Sequence, residues 1–202
     1  MLEVNAPAKP EAAIIAALGR RSIVLVGMMG AGKSSVGRRL ATRLGLTFVD
    51  ADIEIEAAAG MSIADIFAAH GEAYFRSGEG RVIARLLEGG PQVMATGGGS
   101  IMNPDTRALI RVKGVSIWLD AEYEVLLRRV KRRTDRPMLK TAEPAETLRR
   151  LLDERRPVYA LADLTIRSRD APHDTIVNEA IAALAGHLGT SKHSAVRGQA
   201  AP

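Results

Sequence analysis

The sequence contains no cysteine, so disulfides and thiolate metal sites are excluded and nothing is said of the redox compartment. Aromatic residues are only 3% of the 202 residues. With 47% hydrophobic content, the core must be built from Ala, Leu, Ile and Val. No run of 18 apolar residues occurs, so no membrane span is expected. Residues 1–12 carry Glu3 and Glu11 and lack a long apolar centre, unlike a secretory signal. These absences lead to the expectation of a cytoplasmic protein. Lysine is scarce, 6 against 22 arginines. The net charge of +5 suits an anionic substrate and equally a weak nucleic-acid contact. Codon bias toward arginine accounts for it as well.

What is present begins with Gly27-Met-Met-Gly-Ala-Gly-Lys33-Ser34. The spacing is that of a phosphate loop: Gly, four free positions, then Gly-Lys-Ser. An apolar run, Ile23–Val26, precedes it and a helical pattern follows. Glycines let backbone N–H groups turn inward around phosphate oxygens, and the helix N-terminus adds partial positive charge. Lys33 is placed to reach the β- and γ-phosphates, and Ser34 to ligate Mg²⁺.

Beyond the loop, short apolar strands alternate with helical patterns. Strands are expected at 22–27, 47–49, 92–96, 115–119 and 163–166, and helices at 33–44, 52–58, 62–88, 103–111, 122–133, 145–161 and 173–187. Ser62 precedes Asp65 as in a capping box, Asn103-Pro104 reads as N-cap and N1, and Gly45 and Gly89-Gly90 follow helix ends. The alternation implies an α/β fold, a parallel sheet covered on both faces by helices. With no internal repeat and no long linker, one domain is expected over 20–187. Residues 1–19 are assigned to an N-terminal tail and 188–202 to a C-terminal one. Residues 131–142 are basic and broken by Pro137, which reads as an arginine-bearing flap.

Three further clusters carry chemistry. Asp50 and Asp52 close the second strand. Two residues apart, they face one side at the carboxyl edge where α/β sheets bind ligands. One suits Mg²⁺, directly or through water, and the other an attacking hydroxyl. Asp52 is equally a good N-cap for the helix that follows. Arg76 and Glu79 are three apart on a helix, so the carboxylate can hold the guanidinium for a substrate carboxylate. Gly97-Gly98-Gly99 after the third strand invites close approach of a ligand. Glu154–Tyr159 ends a helix with arginines, which dipole effects alone explain.

Taken together, the segments GMMGAGKSS (27–35), FVDADIEIE (48–56), GEAYFRSGE (71–79), ATGGG (95–99), DRPML (135–139) and ERRPVY (154–159) resemble the shikimate kinase family, in order and in spacing, over about residues 20–187. The resemblance implies a three-layer P-loop NTP hydrolase fold like that of nucleoside monophosphate kinases. Its five-stranded parallel sheet has order 2-3-1-4-5, flanked by helices, with an acceptor-binding region at about 52–81 and a mobile lid at about 131–142. It implies transfer of the γ-phosphoryl of ATP to the 3-hydroxyl of shikimate, in aromatic amino-acid biosynthesis, by a monomer that binds neither nucleic acid nor membrane. Residue by residue, it implies that Gly30, Ala31, Gly32, Lys33, Ser34 and Ser35 hold ATP, with Mg²⁺ on Ser34 and Asp50. Asp52 would bind shikimate hydroxyls and orient the attacking one. Arg76, helped by Arg155, would pair with the shikimate carboxylate, and Gly97, Gly98 and Gly99 would line the site. Arg136 would meet the transferring phosphoryl, Arg132 or Arg133 would flank adenine, and Arg169 and Pro172 would stand in an adenine-contacting loop. An acid is usual after the third strand of phosphate-loop enzymes. Thr96-Gly97 stands there instead, as in this family, leaving the metal to Ser34 and Asp50.

Two other readings compete. Gluconate kinase shares the architecture, and gluconate is also a carboxylated polyol, but the Asp-x-Asp and Phe-Arg-x-x-Glu segments favour shikimate. A nucleotide-dependent regulator without an acceptor explains the basic excess but leaves Asp52, Arg76 and Gly97–Gly99 without a shared purpose.

Overall fold

A computed structural model describes residues 10–131 and 143–189. After helix α1 (Pro10–Leu18) the chain alternates: β1 (Ser22–Val26), α2 (Lys33–Leu44), β2 (Thr47–Asp50), α3 (Ala51–Ala59), α4 (Ile63–Glu88) and β3 (Gln92–Ala95). A 3₁₀ turn, Ser100–Met102, leads to α5 (Pro104–Lys113), β4 (Gly114–Ala121), α6 (Tyr123–Val130), α7 (Pro144–Tyr159), β5 (Leu164–Ser168) and α8 (His173–His187). The five strands form one parallel sheet in the order β2-β3-β1-β4-β5, as the family resemblance implies.

The order follows from handedness. Parallel crossovers are right-handed. The step from β1 to β2 moves one way across the sheet, while those from β2 to β3, β3 to β4 and β4 to β5 move the other. Hence α2 covers one face and α4, α5 and α7 the opposite one. After β5, α8 returns to pack on α2. Covered on both faces, the central strand β1 is buried at every position, as a strand between two helical layers must be. The edge strand β2 is half exposed.

Caps fix the ends. Ser62 Oγ accepts from the N–H of Asp65 at 3.1 Å and Asn103 Oδ1 from that of Asp105 at 2.8 Å. Gly45 closes α2 with φ 66°. Two expectations change here. Asp50, not Asp52, is the N-cap of α3, since its Oδ1 accepts from the N–H of Asp52 at 3.2 Å. The expected helix over 62–88 is divided at Gly71, whose φ of 77° and ψ of 175° are not helical. Without a Cβ this residue turns the chain so that Phe75 and Glu79 face inward.

The assignment of 1–19 to a tail is corrected from residue 10 onward. Helix α1 packs on α2 and α8, and Ile14 and Leu18 are fully buried there. Arg43 ties it down, donating 2.9 Å to Glu11 Oε1 and 3.0 Å to Asn178 Oδ1. Residues 132–142, with Arg132, Arg133 and Arg136, lie outside the described residues, as does the C-terminal segment from residue 190.

Burial of Ile14 makes α1 part of the core. Ile14→Ala should cost about 2–4 kcal/mol in urea unfolding. A change within about 0.5 kcal/mol, typical of an exposed position, would return the helix to the status of a tail.

Candidate active site

The loop between β1 and α2 is wound by glycines at positive φ: Gly27 (132°), Gly30 (82°) and Gly32 (92°). Gly27 also has no room for a side chain, since a Cβ there would lie 2.8 Å from Leu119 O. Gly32 is the left-handed N-cap of α2, so the first amides of that helix open onto the loop. The Lys33 ammonium lies back across the loop, donating to Gly27 O at 2.8 Å and Met28 O at 3.0 Å. From the far side, Ser168 at the end of β5 donates 2.7 Å to Ala31 O. Arg129, at the end of α6, donates to Gly30 O (3.2 Å), Ser168 Oγ (3.1 Å) and Arg169 O (3.0 Å).

At the carboxyl edge of β2, Ser34 Oγ donates to Asp50 Oδ2 at 2.7 Å. These are hard oxygen donors. Adjacent ligands of an octahedral Mg²⁺ lie about 2.9 Å apart for Mg–O distances of about 2.05 Å, so the pair fits this ion. No cluster of three or more His, Cys, Asp or Glu suited to a metal occurs among the described residues. Thr96 donates its hydroxyl to Leu25 O at 3.1 Å, tying β3 to β1 where an acid is otherwise usual. Loop, Ser34, Asp50, Asp52, Gly98 and Arg129 all line one open cleft of about 1060 Å³.

Beside the cleft stands a corner of paired charges. Glu79 is almost fully buried, and its carboxylate accepts from Arg76 at 2.8 Å and from Ser100 Oγ at 2.5 Å. Arg76 also donates to Glu72 at 3.1 and 3.2 Å. Burial works against the Arg76 charge, but Glu79 and Glu72 more than offset it and raise its pKa. The guanidinium is thus held, charged and only partly exposed, over the glycine run. None of Gly97, Gly98 and Gly99 has positive φ. They are small for lack of space. A Cβ on Gly97 would lie 2.9 Å from both Asp52 Oδ1 and Glu79 Oε1, and one on Gly99 2.5 Å from Arg76. One on Gly98 would lie 3.3 Å from the Met29 N–H and 3.6 Å from Arg155.

The structure therefore brings together Lys33, Ser34, Asp50, Asp52, Arg76, Arg155 and the glycine run. Arg169 is on the loop after β5, but its guanidinium turns outward to Glu179 at 2.5 and 3.2 Å, which raises its pKa. Only its carbonyl faces Arg129.

The sequence assigns no role to Arg129, Ser168 or Ser100, and Tyr159 stands in the ERRPVY segment without one. Tyr159 is fully buried, stacks on Trp118 with ring centroids 6.0 Å apart, and donates to Gly98 O. Burial pushes its pKa up to about 12, against the opposing pull of Arg155 and Arg76. An unfolded tyrosine ionises near pH 10. The folded state keeps its proton longer, so this contribution to stability is intact below about pH 10 and is lost as pH rises toward 12. In urea unfolding, the stability gap between wild type and Tyr159→Phe should narrow across that interval. A gap that stays constant would mean the hydroxyl is not shielded.

Comparison with known proteins agrees with this geometry. The family model described as shikimate kinase matches residues 29–185. A shikimate kinase of Bradyrhizobium diazoefficiens is 66% identical over 181 residues, 90% of this chain and 87% of that protein. One of Rhodopseudomonas palustris is 63% identical over 178 residues, 88% of each. Among solved structures, shikimate kinase from Acinetobacter baumannii in complex with shikimate superimposes with a TM-score of 0.81 at 34% identity, covering 91% of this chain and 99% of that one. With a family match over most of the fold, and the phosphate loop, the paired aspartates and the held arginine in one place, the chain belongs to the shikimate kinase family.

Proposed function

We propose that this chain transfers the γ-phosphoryl of ATP to the 3-hydroxyl of shikimate, giving shikimate 3-phosphate and ADP. The observation that carries the reading is the placement of Asp52. Its carboxylate stands against Gly97, in the same cleft as Lys33 and beside the corner that holds Arg76. A donor site, an acid for a hydroxyl and a cation for a carboxylate thus adjoin.

In this reading the amides around Gly30, Ala31, Gly32 and Ser35 hold the ATP phosphates. Lys33 exchanges carbonyl partners for phosphate oxygens and meets charge that grows in the transition state. Ser34 and Asp50 would hold Mg²⁺, which would supply charge neutralisation to the phosphates. Asp52 accepts the hydrogen bond of the attacking hydroxyl and aligns it. Arg76 and Arg155 take the carboxylate, with Gly97–Gly99 as the wall that lets the ring approach. Arg136 retains its assignment to the transferring phosphoryl on the motif alone.

A regulator that binds nucleotide without an acceptor leaves the Arg76–Glu79–Ser100 construction without a purpose. Gluconate kinase is disfavoured by the identity to shikimate kinases over most of the chain. No described helix is long and apolar enough to cross a membrane. A monomer acting in the cytoplasm completes the proposal.

A coupled ADP-release assay with shikimate, gluconate and no acceptor tests the reading. Turnover should require shikimate. Lys33→Ala should reduce it by about 10² or more, as loss of one transition-state donor does, without shifting the melting temperature by more than a few degrees. Activity within a few-fold of wild type would remove the loop from the chemistry.

Arg76→Lys keeps a charge against Glu79 but loses the planar fork. The Michaelis constant for shikimate should rise at least roughly tenfold, equivalent to about 1.4 kcal/mol, with that for ATP changed less than about twofold. Equal effects on both substrates would make Arg76 a structural partner of Glu79.

A further inference from the structure

One buried side chain joins elements that the proposed chemistry uses separately. Tyr159 ends α7 with no exposed surface. Its hydroxyl donates to the carbonyl of Gly98 and lies 3.6 Å from Met28 Sδ on the phosphate loop. Its ring rests on Trp118 of β4, and Trp118 in turn closes the space beside Gly27. Arg155, one turn earlier on the same helix, is itself buried. It lies close enough to act on the Tyr159 hydroxyl and to limit the space at Gly98.

We infer that Tyr159 is a positioning residue for the acceptor: its O–H···O=C bond to Gly98 sets the depth of the glycine run and, with it, the place of Arg155. This rests on the shikimate kinase reading of the site. The argument is one of tolerance. Gly97 and Gly99 face Asp52, Glu79 and Arg76 at distances that leave no space for one added carbon. A shift of a few tenths of an ångström in the Gly97–Gly99 backbone therefore moves those groups or opens a gap against the acceptor. The carbonyls of Gly97 and Gly99 accept from the amides of Ser100 (3.3 Å) and Met102 (3.0 Å) in the turn that follows, and no side chain of the run itself can hold Gly98 between them. At Gly98, the middle of the run, the fixing bond is supplied from outside by the phenol. A hydroxyl on a fully buried, stacked ring is well suited to this, because the packing around the ring leaves the phenol few other positions. On this argument the bond acts on acceptor binding, while the phosphate loop keeps its own ties through Ser168 and Arg129.

Tyr159→Phe tests this, since it keeps the ring and its stacking and removes only the hydroxyl. Wild type is assayed first; turnover that requires shikimate establishes the reading on which the inference stands. The Michaelis constant for shikimate should then rise five- to thirtyfold in the variant, with that for ATP within twofold and kcat within threefold. Ile14→Ala, remote from the site and also destabilised, serves as the control and should leave both Michaelis constants unchanged. If shikimate affinity in Tyr159→Phe stays within twofold of wild type, or if both substrates weaken in parallel in both variants, Tyr159 only fills the core and the inference falls. A wild type that turns over without shikimate would instead overturn the functional reading itself.

Discussion

The closeness of three uncharged, side-chain-free residues to three charged ones governs this site. Gly97–Gly99 lies against Asp52, Glu79 and Arg76 so tightly that an added carbon at either end of the run meets an ionised group. Backbone without side chains is the one surface that charges can approach this nearly while remaining open to a ligand. The burial of Glu79 follows from it, because a carboxylate excluded from water needs the Arg76 guanidinium and the Ser100 hydroxyl. The kink at Gly71 sets the turn of α4 that faces Phe75 and Glu79 inward and carries Arg76 beside them.

The sheet order supplies the other half of the arrangement. Because β1 lies between β3 and β4, the phosphate loop after β1 has the glycine run on one side and Trp118 on the other. Asp50 ends β2, two strands from β1, and Asp52 follows it in the first turn of α3, so both reach the cleft at that edge. Donor and acceptor groups among the described residues thus arise from neighbouring strand ends.

Much of this was legible in the sequence. Buried parallel strands are continuous apolar runs, and the glycines, caps and prolines that bound helices act locally, so each announces itself in a few residues. The phosphate loop and the Arg76–Glu79 pair are likewise local. What escaped is tertiary in origin. Helix α1 is so uniformly apolar and rich in alanine that no face stands out, and its burial is decided by α2 and α8. Gly71 carries no sign that distinguishes a tolerated helical glycine from a break. Asp52 reads as the cap of the helix that follows until the end of β2 is placed, and the structure gives that role to Asp50. Tyr159, Ser100, Arg129 and Ser168 act across 21 to 137 residues of chain, and no spacing rule reaches that far.

The docking of α1 beside α8 has a topological consequence. The first and last described helices are neighbours on one face and both pack on α2. One face of the sheet is thus covered by segments from both extremes of the described chain. Neither flank of α2 is sealed until α8, the last of these helices, is in place, so this layer is completed by contacts far apart in sequence.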